Sequence, residues 1–301
     1  MADEHSLDEA RQRVRRFLRT SFGDAVHDDG DELEVRHHGV RTQMFVLPWR
    51  RRIGVVALSI SNEGMRVDDG LTRLLASEAH RLPFGQFELV AAGTAVRVAH
   101  DLLEPQLTRS ELEAVVDSVA RAAAHYGPIV QEWFGGHCPA TVAEGTTPPA
   151  LSEAGNDADS KSVDLLRYRV RGHVEDLDYR HAFDDQGDFV VEVPGSAAPA
   201  WVRPTPWTRG RTLVRMWSVT NEGMRVDGEL TRFLLETNED LPFGGFRLDR
   251  HGPQTLVAYS LLGETLAQPA LENALRCLTV TADKRGPLIE ERFGGRLFST
   301  P

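Results

Sequence analysis

Lysine is nearly missing from this chain: Lys161 and Lys284 are the only two, and arginine supplies the other positive charges. Cysteine is as scarce, with Cys138 and Cys277 alone. Two cysteines cannot build a disulfide framework, so a reducing cytoplasmic setting is the default expectation. No apolar run reaches about 18 residues, and no membrane-spanning helix is expected. The opening MADEHSLDEARQRVRRFL lacks the basic-then-apolar layout of a secretory signal. Positive charge is in deficit, 34 Lys+Arg against 45 Asp+Glu, a net of -11. Phosphate backbones repel such a surface, which argues against nucleic acid as a partner, and Arg50-Arg51-Arg52 is a short basic run in an acidic chain.

Catalytic signatures are also absent. There is no GxSxG, P-loop, HExxH or CxxC, and no GxGxxG with an acidic residue at the right distance. Paired acids such as Asp28-Asp29 and Asp184-Asp185 fall in expected turns. Zinc needs three or four ligands at recognised spacings. His37-His38 and His137-Cys138 are the only clustered ligand types, and the second half of the chain has no histidines at matching positions. These are read as solvated side chains; no metal, no cofactor and no enzymatic activity are expected.

What is present is a repeat. NEGMRVD stands at 62–68 and again at 221–227, an offset of 159 residues. LPFG at 82–85 answers LPFG at 241–244, and GPIVQEWFGG at 127–136 answers GPLIEERFGG at 286–295. Between 62–136 and 221–295, 32 of 75 positions are identical, far above chance. One fold has been duplicated in tandem. Upstream, Pro48-Trp49 answers Pro206-Trp207 at an offset of 158, so one residue is gained in between, in an expected strand-to-strand turn. The chain of 301 residues has ordinary globular composition, 41% hydrophobic and 26% charged. It divides into a first domain at 1–136, a polar Pro/Ala/Thr/Ser-rich linker at 137–160 and a second domain at 161–301.

Each repeat opens with an amphipathic helix. Leu7, Ala10, Val14, Phe17 and Leu18 mark it in the first, with Ser6 and Glu9 as a capping box. Three strands follow, at Leu33–Val35, Met44–Leu47 and Val55–Ile60, separated by Gly-containing turns. A short helix capped by Asp68 or Asp69 comes next, then two strands across Gly93, then a long helix closed by Gly135-Gly136. The order α-β-β-β-α-β-β-α, with short turns, gives antiparallel sheets packed with helices, an α+β fold.

The segment LPFGGFRLDRHGPQTLVAYSLLGE at 241–264, with LPFGQFELVAAGTAVRVAHDLLE in the first repeat, carries a further pointer. A Phe-Gly-x-Phe strand, a Gly turn, an apolar strand and a long helix ending in Gly-Gly resemble the YbjN-like and type III secretion chaperone-like family of bacterial proteins. The resemblance covers both repeats. It implies binding of a peptide or protein client without enzymatic chemistry, and it implies that the duplication supplies an intrachain pseudo-dimer. Candidate partner-binding residues are Trp49 and Trp207, at matching positions beside arginines, and Asn62, Glu63, Arg66, Asn221, Glu222 and Arg225 of the recurring motif. The alternative for the motif is structural: Asn and Gly accept positive φ, Met fills the core, and Asp caps the next helix. For the tryptophans the alternative is packing at the end of the sheet. Two other readings remain for the whole chain: a scaffold subunit of a larger bacterial assembly, and an enzyme with an unrecognised site.

Overall fold

The computed structural model describes residues 4–30, 32–49, 52–90, 93–140, 160–241, 243–249 and 252–298. It forms two compact units, residues 1–71 with 84–151, and residues 72–83 with 152–301.

The first repeat runs α1 (Glu4–Phe22), β1 (Val26–Asp28), β2 (Leu33–His37), β3 (Val40–Trp49), β4 (Arg52–Glu63), α2 (Asp69–Glu78), β5 (Gln86–Val90), β6 (Ala95–Leu103) and α3 (Arg109–Phe134). The second runs α4 (Ser160–Asp176), β7 (Arg180–Phe183), β8 (Phe189–Glu192), β9 (Ala200–Pro206), β10 (Thr212–Glu222), α5 (Gly228–Asn238), β11 (Gly245–Leu248), β12 (Gln254–Leu262) and α6 (Gln268–Phe293), closed by a short β13 (Arg296–Leu297). The class is α+β, as the order of elements read from the sequence implied. The first repeat holds one strand more than the sequence reading placed, β1, and the second holds two more, β7 and β13. β1 and β7 are only three and four residues long, lie at the sheet edge without a buried residue, and carry no apolar alternation to betray them.

The first sheet has the order β1-β2-β3-β4-β6-β5, and the second β11-β12-β10-β9-β8-β7 with β13 added beside β10. All pairings are antiparallel. Period-two alternation decides the faces. In β3, Val40, Thr42, Met44 and Val46 are buried, while Arg41, Gln43, Phe45 and Leu47 point the other way. The buried face is covered by α1 and α3. α1 presents Ala10, Val14 and Leu18, and α3 presents Leu112, Val115, Val116, Val119 and Ala123, at three- and four-residue steps. A fully buried Leu or Val contributes about 1.5–3 kcal/mol relative to exposure, so this face sets the strand register. α4 and α6 repeat the arrangement with Leu166, Val170, Leu271, Leu275 and Leu278. Phe87 and Phe246 are buried at equivalent places. α1 already includes Ser6, so the expected capping box lies inside the helix and not at its end.

The one-residue gain falls in the β9–β10 turn. Pro48 pairs with Ile53 in the first repeat and Pro206 with Thr212 in the second. The longer second turn winds into a short 3-10 segment, Thr208–Gly210.

The recurring Gly-Gly has a geometric cause. Gly135 caps α3 at φ 75°, and Gly136 follows at φ 82°. A Cβ on Gly136 would stand 2.5 Å from the Glu63 carbonyl oxygen, and one on Gly295 would stand 2.6 Å from that of Glu222. Only glycine lets the chain leave the helix and lie against the end of β4 or β10. There His137 exchanges both backbone hydrogen bonds with Glu63, at 2.9 and 2.8 Å. His137 is thus tied to the first sheet; residues 141–159 of the expected linker lie outside the described residues. Among the described residues, no helix is long and apolar enough to cross a membrane.

Candidate functional site

The unburied faces of the two sheets differ although their backbones correspond. On the first, the backbone pairing of β3 with β4 ends at Gln43–Leu58. The segment after α3 lies beside β4, and a cleft of about 360 Å³ remains, lined by Glu34, Arg41, Gln43, Ile60, Glu63, His137 and Pro139. Ile60 is partly exposed at its floor, and Phe45, Val56 and the half-exposed Leu47 continue the apolar surface along the same face. The walls carry mixed charge: Glu34 meets the Arg36 and Arg41 guanidinium groups at 3.2 and 3.7 Å, and Glu63 stands exposed at the rim.

On the second sheet the corresponding ground is covered. Trp201 and Trp217 stack with ring centroids 6.4 Å apart and planes 9° apart. Phe298 lies edge-on to Trp201 at 5.4 Å, and its N–H donates to the Thr220 carbonyl at 3.1 Å. Arg296 clamps Glu222 through Nη2 and Nε at 2.6 and 2.7 Å. Arg203 covers Trp217 from 5.1 Å.

The candidate residues from the sequence scatter between inside and outside. Asn62 and Asn221 are fully buried. A bulge in each repeat, between Ile60 and Asn62 and between Val219 and Asn221, turns these side chains inward. Asn62 Nδ2 donates to the Gly127 carbonyl inside α3 at 2.8 Å, and Asn221 Nδ2 to that of Gly286 at 2.9 Å. They fasten strand to helix, and positive φ in the motif belongs to Gly64 and Gly223. Met65 and Met224 are buried. Asp68 and Asp227 cap α2 and α5 through the N–H groups of Leu71 and Leu230, and those bonds, with Arg66 and Arg225 beside them, lower both carboxyls. Arg66 and Arg225 are exposed and lie 2.8 Å from their own caps. Glu63 alone of this set lines the cleft, and its counterpart Glu222 is held by Arg296. Trp49 is half-buried at the end of β3, sharing the outer side with Phe45 and Leu47, whereas Trp207 is only 5% exposed. Arg52 begins β4; Arg50 and Arg51 lie outside the described residues.

The His37-His38 pair meets a residue the sequence did not connect to it. The β2–β3 turn has positive φ at His38 (52°) and Gly39 (77°), the signature of a tight hairpin. Both imidazoles are thereby brought to Asp117 of α3, with Nε2 atoms 2.9 and 2.8 Å from Oδ1. Burial works against this carboxylate's charge, but the hydrogen bonds from His37 and His38 and the Arg121 guanidinium hold it well below the usual carboxylate range. Among the described residues, these three could offer a cation ligand atoms within 4.8 Å of one another. Arg121, 2.9 Å from Asp117 Oδ2, already supplies positive charge, and the arrangement reads as a latch between hairpin and helix. Cys138 points toward α3, where burial pushes its thiol pKa up, the reverse of an activated nucleophile.

The cleft residues Gln43, Ile60, His137 and Pro139 escaped the sequence reading. A signal for them existed: they are outward positions at which the two repeats disagree, with Trp201, Val219, Arg296 and Phe298 in register. Residues 164–301 match the family described as T3SS (YopN, CesT) and YbjN peptide-binding chaperone 1. No curated protein matches the chain.

Proposed function

We propose, on the premise that residues 164–301 form a domain of the T3SS and YbjN peptide-binding chaperone family, that this chain is a non-enzymatic cytoplasmic protein that holds a segment of a client protein. The observation that carries the reading to a place is the first-repeat cleft, with its partly apolar floor and charged rim. Such a composition suits an extended peptide: apolar side chains fill the floor, and the rim orients the backbone. Glu63 is the motif residue proposed to touch the client, and Trp49 extends the contact surface at the far end of β3. Asn62, Asn221 and Trp207 support the frame from inside. The pairing of the two repeats within one chain belongs to the same proposal, and a monomeric mass for the intact chain in solution is its expected signature.

The test is an unbiased array of extended peptides probed with the intact chain, followed by fluorescence anisotropy on the strongest sequences. Binding in the range of about 1–100 μM is expected. The absence of any binding peptide, together with turnover of a small molecule by the same preparation, overturns the reading.

A further inference from the structure

The geometry points to the side chain that the first-repeat cleft accepts: an aromatic ring, presented by an extended client segment with a basic residue close by. This inference rests on the peptide-binding reading and names its ligand class.

Among the described residues, the molecule contains the same site twice, once filled and once open. In the second repeat the chain's own segment Arg296-Leu297-Phe298 runs beside β10. It sets the Phe298 ring against Trp201 and ties the Arg296 guanidinium to Glu222. Leu297 turns the other way: a Cβ on Gly286 of α6 would lie 2.8 Å from its Cδ2. In the first repeat the same path is taken by His137-Cys138-Pro139, with Cys138 toward Gly127. The backbone frame is kept, but the filling is removed. Gln43 replaces Trp201, Leu58 replaces Trp217, Pro139 replaces Phe298, and His137 replaces Arg296. Three aromatic side chains and one guanidinium are lost together, and a space of about 360 Å³ opens over Ile60.

Pro139 makes the difference permanent. Phe298 donates its N–H to Thr220, extending the pairing past β13; proline has no N–H to give the matching carbonyl of Ser61. Pro139 therefore stands at the place of Phe298 without that backbone bond and without its ring. An incoming ring can rest on Ile60 with Gln43 and Pro139 as its walls, and an amide edge and a proline face both pack well against aromatic rings. The rim carboxylate Glu63, whose counterpart Glu222 is neutralised by Arg296, then meets the client's basic residue. The net charge of -11 favours approach of such a segment.

The probe is the chain's own C-terminal octapeptide, Gly-Gly-Arg-Leu-Phe-Ser-Thr-Pro, added to the intact chain labelled at isoleucine methyl groups. The chain has four isoleucines, Ile53, Ile60, Ile129 and Ile289, so the readout is simple. An upfield ring-current shift at Ile60, saturable and absent at Ile289, is expected. A peptide with alanine in place of its phenylalanine should bind at least about tenfold more weakly, as should the double variant Gln43→Trp/Pro139→Phe, which installs the second repeat's filling. If the double variant fails to fold, Gln43→Trp alone serves. An unmoved Ile60, or equal binding by the alanine peptide or by the filled variant, overturns the inference. The peptide array separates the two levels: clients that bind without an aromatic requirement sink the ring seat and leave peptide binding standing, whereas an array with no binder at all removes both.

Discussion

Asn62 and Gly127 are joined across the first repeat by a buried hydrogen bond, Nδ2 to carbonyl oxygen at 2.8 Å, and Asn221 repeats it on Gly286 at 2.9 Å. The bond explains two recurring sequence features at once. The asparagine of NEGMRVD reaches into α3 or α6, and the glycine of the Gly-Pro pair allows close approach there: a Cβ on Gly127 would meet Cys138 Sγ at 2.5 Å and the Ser61 carbonyl oxygen at 3.2 Å. Asn62→Ala or Asn221→Ala leaves a buried partner without its donor and is expected to cost about 1–3 kcal/mol. Urea denaturation of each single variant checks this; a loss at neither site would show that the bond contributes nothing to stability.

Phe87 and Phe246 test the register of the duplicated cores. Both are fully buried, and Phe87 meets Tyr126 edge-on at 4.9 Å. Truncation of either to alanine removes a ring from a close-packed site and should cost about 3–5 kcal/mol. Similar losses from the two variants are expected because the positions are structurally equivalent. A cost below about 1 kcal/mol at both would contradict the strand placement.

Glu111 gives the chain a pH dependence of predictable sign. It sits at the third position of α3, where its carboxylate accepts from the Thr108 N–H while Thr108 Oγ1 accepts from the Glu111 N–H. Burial outweighs that bond and raises its pKa from 4.5 to about 7. The folded state then keeps a proton that the unfolded chain releases above about 4.5. Stability from this group is complete below that pH and is lost as pH rises toward about 7, by an amount on the order of 3 kcal/mol. Glu111→Gln keeps the cap and removes the ionisation. It should unfold at higher urea than the parent at pH 8 and show no such advantage at pH 4. Equal differences at both pH values would sink the assignment.

The sequence disclosed the helices and the long strands because their apolar positions recur with clear periods: Ala10, Val14 and Leu18 in α1, and Val40, Met44 and Val46 in β3. Duplication doubled each signal. It disclosed the turn chemistry of NEGMRVD in part. Asp68 caps a helix and Met65 fills the core as expected, but the inward turn of Asn62 depends on a bulge that no local pattern announces. β1 and β7 were invisible because edge strands of three or four residues need no buried alternation. The cleft was harder still. Its walls come from β2, β3, β4 and the segment after α3, residues about 100 positions apart, and its space is made by what is missing: two tryptophans and a phenylalanine of the other repeat. The latch of His37 and His38 on Asp117 likewise joins residues some 80 apart, through a left-handed His38.

Trp49 and Trp207 hold the same place in the repeat and are expected to behave differently. Trp207 is 5% exposed, and its backbone N–H, which an alanine would keep, donates to the Arg211 carbonyl at 2.7 Å across the longer turn. Trp207→Ala therefore removes buried packing and should cost about 3–5 kcal/mol of stability. Its effect on client binding should follow the folded fraction and no more. Trp49 is half-buried on the outer side of β3, in line with Phe45 and the half-exposed Leu47, where a bound segment that crosses the cleft continues. Trp49→Ala should weaken binding by about 2 kcal/mol, in the range of aromatic interface anchors, with the melting temperature nearly unchanged. Measuring melting and peptide affinity on both variants separates the roles. If Trp49→Ala lowers stability as much as Trp207→Ala and spares affinity, Trp49 is sheet-end packing and the client surface ends at the cleft.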